Sequence, residues 1–297
     1  MQDNPLVTVI CLCYNHSKFV VECLESVINQ SYKNIELIIV DDCSNDNSVA
    51  VINQWLIDFP EIKFIVNKTN LGNTKSFNKV VKLAKGDYLI DLAADDVLLS
   101  NGVENQLKGF RKSSFKNLAM VYGNAINISE NGCFIDYYFE VNDQKKVIVK
   151  RPVGNIYLSV LSSGKVICSV SAMIKKDVFE VLNGYDESLA YEDLDFWIRI
   201  SRNYTIDFID EIVIQKRVIS HSLGSNFKKR NSTINQSTYK ILRKAIGLNQ
   251  SLEEDFAVQK RVHYEIINSY NNKDFSLLLK NVGLKFRLVL RRIFSVF

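Results

Sequence analysis

The chain opens with short apolar runs separated by segments of helical period. Residues 6–13 (LVTVICLC) are apolar at every position but one, which predicts a strand buried on both faces. Residues 18–30 place Val20, Cys23, Leu24, Val27 and Ile28 on one stripe and predict a helix. Residues 35–40 predict a second strand, and 46–59 a helix with Val49, Ile52 and Leu56 inward. A third strand at 61–66, a helix at 73–84 stopping near Gly86, and a fourth strand at 87–92 complete the series. Continuous apolar strands alternating with helices indicate a parallel sheet covered on both faces.

The pattern changes near residue 115. Segments 118–122, 133–139 and 168–174 read as strands with turns between them, and 191–203 (YEDLDFWIRISRN) reads as an amphipathic helix. Two further strands are expected at 205–210 and 212–218, and from about 226 the chain turns polar, basic and helical. The expected organisation is a domain at 1–225 and a helical extension at 226–297. Within the domain, 1–112 is the half of alternating strands and helices and 113–225 a mixed α+β half.

Bulk properties exclude several classes. The net charge of +4 on 297 residues is too mild to argue for nucleic acid. The six cysteines form no CxxC pair and the three histidines are scattered, so no zinc motif is present. Cys11 and Cys13 alternate on an apolar strand and read as small buried hydrophobes. The start MQDNPLVTV has no basic, then apolar, leader pattern, and no apolar run reaches the roughly 20 residues of a membrane span. A cytoplasmic protein with free thiols is the expectation.

Parallel sheets bind ligands at the carboxyl ends of their strands. Tyr14-Asn15-His16 follows the first strand, Asp41-Asp42-Cys43-Ser44 the second, Asn70-Leu71-Gly72 the third and Ala93-Ala94-Asp95-Asp96 the fourth. Neither GxGxxG nor GxxxxGK[ST] occurs, so dinucleotide and P-loop chemistry lack their motif. Carboxylates stand where other such folds put glycines. A carboxylate repels a diphosphate, but it can accept a hydrogen bond from a base or ribose, or hold a bridging divalent cation. Two acidic strand ends in one sheet therefore suggest a nucleotide diphosphate bound partly through a metal.

The stretch VTVICLCYNHSKFVVECLESVINQSYKNIELIIVDDCSNDNS resembles the opening of glycosyltransferase family 2. GDYLIDLAADDVLL and GYDESLAYEDLDFWIR resemble that family's metal-binding and catalytic segments, and the likeness runs in order over roughly residues 6–225. The resemblance implies a GT-A fold: an α/β protein with a mostly parallel central sheet flanked by helices, a mixed acceptor half, and here a C-terminal helical tail. It implies an inverting transfer of a sugar from a nucleotide-diphosphate donor, a UDP-sugar by preference, to a hydroxyl of a glycan or lipid-linked acceptor. The setting it suggests is cell-envelope polysaccharide synthesis.

The same resemblance assigns roles. Tyr14 either lies near the base or caps the end of the sheet, Asp42 accepts a hydrogen bond from the base, and Asp41 either supports the turn or touches the donor. Asn78 either reaches the nucleotide or serves the start of a helix. Asp95 holds Mn2+ or Mg2+, and Asp96 holds a water on the metal or contacts sugar hydroxyls. Asp193 is the catalytic base and Glu192 orients it or the acceptor. Trp197 either stacks on an acceptor sugar or belongs to the core. His221 is either a metal ligand or a surface histidine. One departure stands out: the usual first acid of the family's DxD motif is Ala93 here, which leaves Asp95 as the principal protein ligand. It also keeps open a catalytically inactive sugar-nucleotide or glycan-binding relative as the alternative. A nucleotidyltransferase ranks lower, because YNHSK stands where such enzymes carry a glycine-rich basic loop.

From Lys280 to Phe297 there are five basic residues and no acidic one. On a helical wheel Phe286, Val289, Leu290, Ile293, Phe294 and Phe297 share one face, with Lys285, Arg287, Arg291 and Arg292 around the other. Such a helix either lies on an anionic membrane surface or packs back on the protein. The first option would make the protein peripheral at the inner face of the cell membrane.

Overall fold

The computed structural model describes residues 4–219 and 227–294. Contacts divide the chain into two compact units. The first comprises Met1–Gly154, Ile167–Tyr185 and Tyr204–Ile219, and the second Asn155–Val166, Asp186–Asn203 and Ser220–Phe297.

The first unit is built on one sheet. Its leading half runs β1 (Val7–Cys13), α1 (Val20–Ile28), β2 (Ile35–Asp41), α2 (Ser48–Trp55), β3 (Lys63–Val66), α3 (Asn73–Val81) and β4 (Tyr88–Ala93). β1 is buried at all seven positions, as its unbroken apolar run requires. Then come β5 (Val97–Leu98), α4 (Gly102–Lys112), β6 (Leu118–Ile128) and β7 (Phe134–Tyr137). β8 (Ala172–Lys175), α6 (Lys176–Val181) and β9 (Thr205–Arg217) finish the unit, α5 (Tyr157–Ser162) belonging to the second. The strand order is β3-β2-β1-β4-β8-β6-β9-β5, with β7 beside β6. The four leading strands are parallel, as is the β6–β9 pair; β8, β7 and β5 join antiparallel.

The entry to β4 needs a glycine. A Cβ on Gly86 would sit 2.5 Å from the Thr8 nitrogen, because Gly86 N–H donates to Thr8 Oγ1 at 2.9 Å. The expected 168–174 strand is shorter than its apolar pattern suggests. Ser169–Ser171 forms a 3-10 turn in which Ser171 Oγ donates to Gly123 O or Cys168 O, and only Ala172–Lys175 joins the sheet. The two strands expected at 205–218 are one, β9, because pairing with β6 continues through register shifts past Asp210–Glu211. Helix α4 was not expected from the pattern; it buries Val103, Gln106, Leu107 and Phe110, and the buried glutamine breaks the apolar stripe.

The second unit is helical. It holds α5, α7 (Glu192–Asn203), α8 (Thr233–Leu248), α9 (Leu252–Asn271) and α10 (Phe275–Phe294). Among the described residues no helix is long and apolar enough to cross a membrane. Trp197 is buried in α7, so it belongs to the core.

Candidate functional site

Register fixes where the candidate residues emerge. Cys13 stands opposite Asp41 in the β1–β2 ladder, and Leu12 opposite Ala93 in the β1–β4 ladder. The three strands therefore end level, and Tyr14, Asp42 and the Ala94–Asp96 turn leave the same edge of the sheet. β1 connects through α1 to β2 on one side and pairs with β4 on the other, so this edge is the switch point at which open α/β sheets bind ligands.

The first two loops are locked together. Asn15 N–H donates to Ser44 Oγ at 2.9 Å, and Asn45 N–H donates to Asn15 Oδ1 at 2.7 Å. His16 N–H reaches Ser48 Oγ at 3.1 Å and Ser17 N–H reaches Asp46 Oδ2 at 3.0 Å. Tyr14, at the head of this loop, is 40% exposed, which leaves its ring accessible to a planar partner.

The two aspartates of the DD pair do different work. Asp41 is fully buried, and its carboxylate accepts from Ser44 N at 2.8 Å and from Ser44 Oγ at 2.6 Å. That is the turn-supporting option for Asp41. Asp42 Oδ1 accepts from Asn67 Nδ2 (2.8 Å), Ser76 Oγ (2.9 Å) and Leu71 N (2.9 Å), while Oδ2 accepts from Gly72 N (2.7 Å). Burial pushes its pKa up, but these hydrogen bonds outweigh burial and hold it below the usual aspartate value. Asp42 is thus a fixed, ionised acceptor at the strand end. Asn78 stands inside α3, away from its start: Nδ2 donates to Tyr185 O at 2.8 Å and Oδ1 accepts from Tyr185 N at 3.0 Å, tying α3 to the turn after α6.

The acidic turn after β4 is held by a residue that pattern reading did not single out, Arg217. Its backbone N–H donates to Asp96 Oδ1 at 2.8 Å and its Nε to Asp95 O at 2.9 Å. Nη1 donates to Ser129 O and Glu130 O at 3.2 and 3.0 Å, and Nη2 meets Glu22 Oε2 at 2.6 Å. The guanidinium also lies 4.7 Å from the Phe19 ring centroid. The sequence gives little to mark it: in IVIQKRVI the arginine is one of three consecutive polar residues, Gln215, Lys216 and Arg217, between apolar ones.

Burial, then the neighbouring Asp95 charge, raises the Asp96 pKa to about 8 against the lowering effect of the Arg217 N–H. His16 Nδ1 is buried without a hydrogen-bond partner, 3.8 Å from Asp95 Oδ1. An imidazole nitrogen and a carboxylate oxygen facing each other are donor types found around divalent cations. No group of three or more such side chains spaced for a metal occurs among the described residues, so a cation here would take its remaining ligands from substrate or water. His221 lies outside the described residues.

Glu192 and Asp193 open α7 in the second unit, at the helix end where negative charge is favoured. The same unit anchors their surroundings. Ala190 N–H donates to Ser237 Oγ at 2.9 Å. Buried Asp195 is paired with Arg199 at 2.7 Å and Lys244 at 3.0 Å, and Arg202 meets Glu254 at 2.5 Å.

The chain is similar to known proteins in sequence and in fold. A family model described as "Glycosyl transferase family 2" matches residues 8–181. An uncharacterized glycosyltransferase of Methanocaldococcus jannaschii is 32% identical over 220 residues, covering 73% of this chain and 72% of its own. A chondroitin synthase of Escherichia coli is 28% identical over 76% of this chain, which spans only 30% of that enzyme's length. In fold, the chain is similar to S. aureus TarS 1-349 in complex with UDP-GlcNAc (TM-score 0.70, 14% identity, 96% of this chain and 81% of that one). It is also similar to the mannosyltransferase PcManGT from Pyrobaculum calidifontis in complex with GDP-Man and Mn2+ (TM-score 0.64, 15% identity, 95% and 74%).

Proposed function

Because the chain belongs to glycosyltransferase family 2, we propose that it transfers a sugar, with inversion, from a UDP-sugar to a hydroxyl of a glycan or lipid-linked acceptor in cell-envelope polysaccharide synthesis. The observation that carries the donor half of this reading is the level ending of β1, β2 and β4, which gathers Tyr14, Asp42 and Asp95 at one sheet edge.

In this reading Asp42 accepts from an N–H of the base and Tyr14 packs on its face. Asp41 holds the Ser44 turn beside them, and Asn78 anchors α3, whose Ser76 donates to Asp42. Asp95 would hold a divalent cation with His16 beside it, and such a cation, when bound, neutralises charge on the departing diphosphate. Asp96 lies behind Asp95 on the Arg217 backbone. Asp193 takes the proton of the acceptor hydroxyl as its oxygen attacks the anomeric carbon, and Glu192 orients the base or the acceptor. The new C–O bond forms as the sugar–phosphate bond breaks, and the nucleotide diphosphate leaves with that electron pair. Residues 1–225 form the catalytic part and 226–297 the extension. Its helices α8 and α9 pack on α7 or ion-pair with it, and so brace the base-bearing helix. All six cysteines are free, which suits work on the cytoplasmic side of a membrane that carries the acceptor.

Calorimetry with UDP, GDP and their sugars, with and without Mn2+, tests the donor half of the proposal. Binding of UDP-sugars strengthened by Mn2+ is the expected result, and no binding of any nucleotide diphosphate would overturn it.

A further inference from the structure

Helix α10 presents three different faces. Leu277, Asn281, Leu284 and Leu288 are buried, and the helix packs on α9 and α8. Asn281 Nδ2 donates to Ser269 Oγ at 3.1 Å. Arg291 Nε donates to Asp255 Oδ2 at 3.1 Å, and its Nη1 and Nη2 reach Ile246 O and Asn249 O at 2.6 and 3.2 Å. These directional contacts fix the rotation of the helix about its axis.

With that rotation fixed, a second apolar face points outward. Phe275, Leu279, Val282, Phe286, Val289 and Ile293 are all exposed, Leu279 at 70% and Phe286 at 63%. Their spacing alternates four and three residues over five intervals, so at 3.6 residues per turn they form one straight stripe opposite the buried face. Lys285 and Arg292 flank it on one side; Arg287 lies on the other, beyond Gly283 and Leu290, while Lys280 Nζ sits 5.9 Å from the Tyr239 ring of α8. No acidic residue occurs between Phe275 and Phe297. The Arg292 guanidinium lies 4.6 Å from the centroid of the exposed Phe256 ring of α9, which adds an aromatic beside that flank.

We propose that this outward stripe of α10 docks on an anionic lipid bilayer, the apolar side chains entering the acyl boundary and the cations Lys285, Arg287 and Arg292 meeting the headgroups. Charge selects this occupant over a second copy of the chain. Two such helices face to face would oppose basic flanks with no acid on either helix to pair them. A bilayer instead accepts a narrow apolar stripe with basic borders, because Lys and Arg stems follow the apolar surface while their heads reach the phosphates. The stripe extends about three turns toward the N-terminus of the helix from the face expected at 286–297, so the docking element is longer than the basic tail alone. The proposal stands apart from the transferase reading.

Flotation of the full-length protein with phosphatidylcholine vesicles, with and without about one third phosphatidylglycerol, tests it. The wild type should float with the anionic vesicles and stay dense with the neutral ones. The triple variant Leu279→Ser, Phe286→Ser, Ile293→Ser should lose vesicle binding by on the order of tenfold or more. Lys285→Gln with Arg287→Gln should weaken it by about fivefold per charge. The substituted positions are exposed except half-buried Lys285, so both variants should keep the wild-type melting temperature and vesicle-free release of nucleotide diphosphate from a donor, which separates failure here from failure of the transferase reading. Absence of wild-type flotation, or equal flotation of both variants, overturns the proposal. So does a wild-type dimer that the triple variant converts to monomer without any lipid binding.

Discussion

Arg217 grips Asp96 through the backbone rather than the side chain: its N–H donates to Asp96 Oδ1 at 2.8 Å, while its guanidinium Nε holds the Asp95 carbonyl at 2.9 Å. The residue therefore sets the shape of the acidic turn at two points, and its remaining nitrogens bind Ser129, Glu130 and Glu22.

Replacing this arginine removes the partners of several carbonyls at once. Arg217→Met should cost about 2–4 kcal/mol in urea unfolding, and Arg217→Lys should recover only part of it, since an ammonium cannot bridge the same set of acceptors. Unchanged unfolding midpoints would show that the buried network contributes nothing.

The pH dependence of stability should carry the signature of Asp96. Its folded pKa is raised from 3.8 to about 8, first by burial and then by Asp95, so the folded state holds this proton more tightly than the unfolded chain. The stability it contributes is complete below about pH 4 and is lost as pH rises through 8. In chelator, Asp96→Asn should flatten that decline and melt higher than wild type at pH 8, its amide oxygen still accepting from Arg217. Melting curves from pH 4 to 9 decide this, and parallel curves for the two proteins would refute it.

Asp42→Asn should damage both structure and donor binding. Its carboxylate accepts from Asn67, Ser76, Leu71 and Gly72, and an amide turns one acceptor into a donor facing donors. A loss of about 1–3 kcal/mol is expected. Calorimetry should show weaker UDP binding than in wild type at a temperature where both are folded. Wild-type affinity would remove Asp42 from the base-reading role.

Asp193→Asn should lower transfer by on the order of 100- to 10,000-fold while leaving donor affinity within error, because a base acts on the acceptor. Chelation and Asp95→Ala should instead weaken donor binding itself, and Mn2+ should rescue only the chelated wild type. An Asp193→Asn enzyme with near-normal turnover would assign the proton transfer elsewhere.

Much of this site is legible in the order of residues. Continuous apolar runs such as VTVICLC can be satisfied only inside a two-faced sheet, and acids at the ends of two of them mark a ligand edge. Local pattern could not separate Asp41 from Asp42. Both stand at the end of the same strand, and only the folded loops show that one carboxylate is fully buried on Ser44 while the other collects donors from the loop after β3 and from α3. Nor could it find α4, whose inward face carries a glutamine bonded to the Ser171 carbonyl at 2.8 Å.

The sequence by itself determined the parallel core, the acidic strand ends and the basic, apolar character of the tail, because each depends on neighbours along the chain. Tertiary structure alone decided what Arg217 does, since its partner Glu22 lies 195 residues away and no local spacing encodes that meeting. It also decided which apolar residues of α10 turn outward. Amphipathic periodicity gives a helix an apolar face, but when two faces are apolar only packing against α8 and α9 chooses the one that is buried.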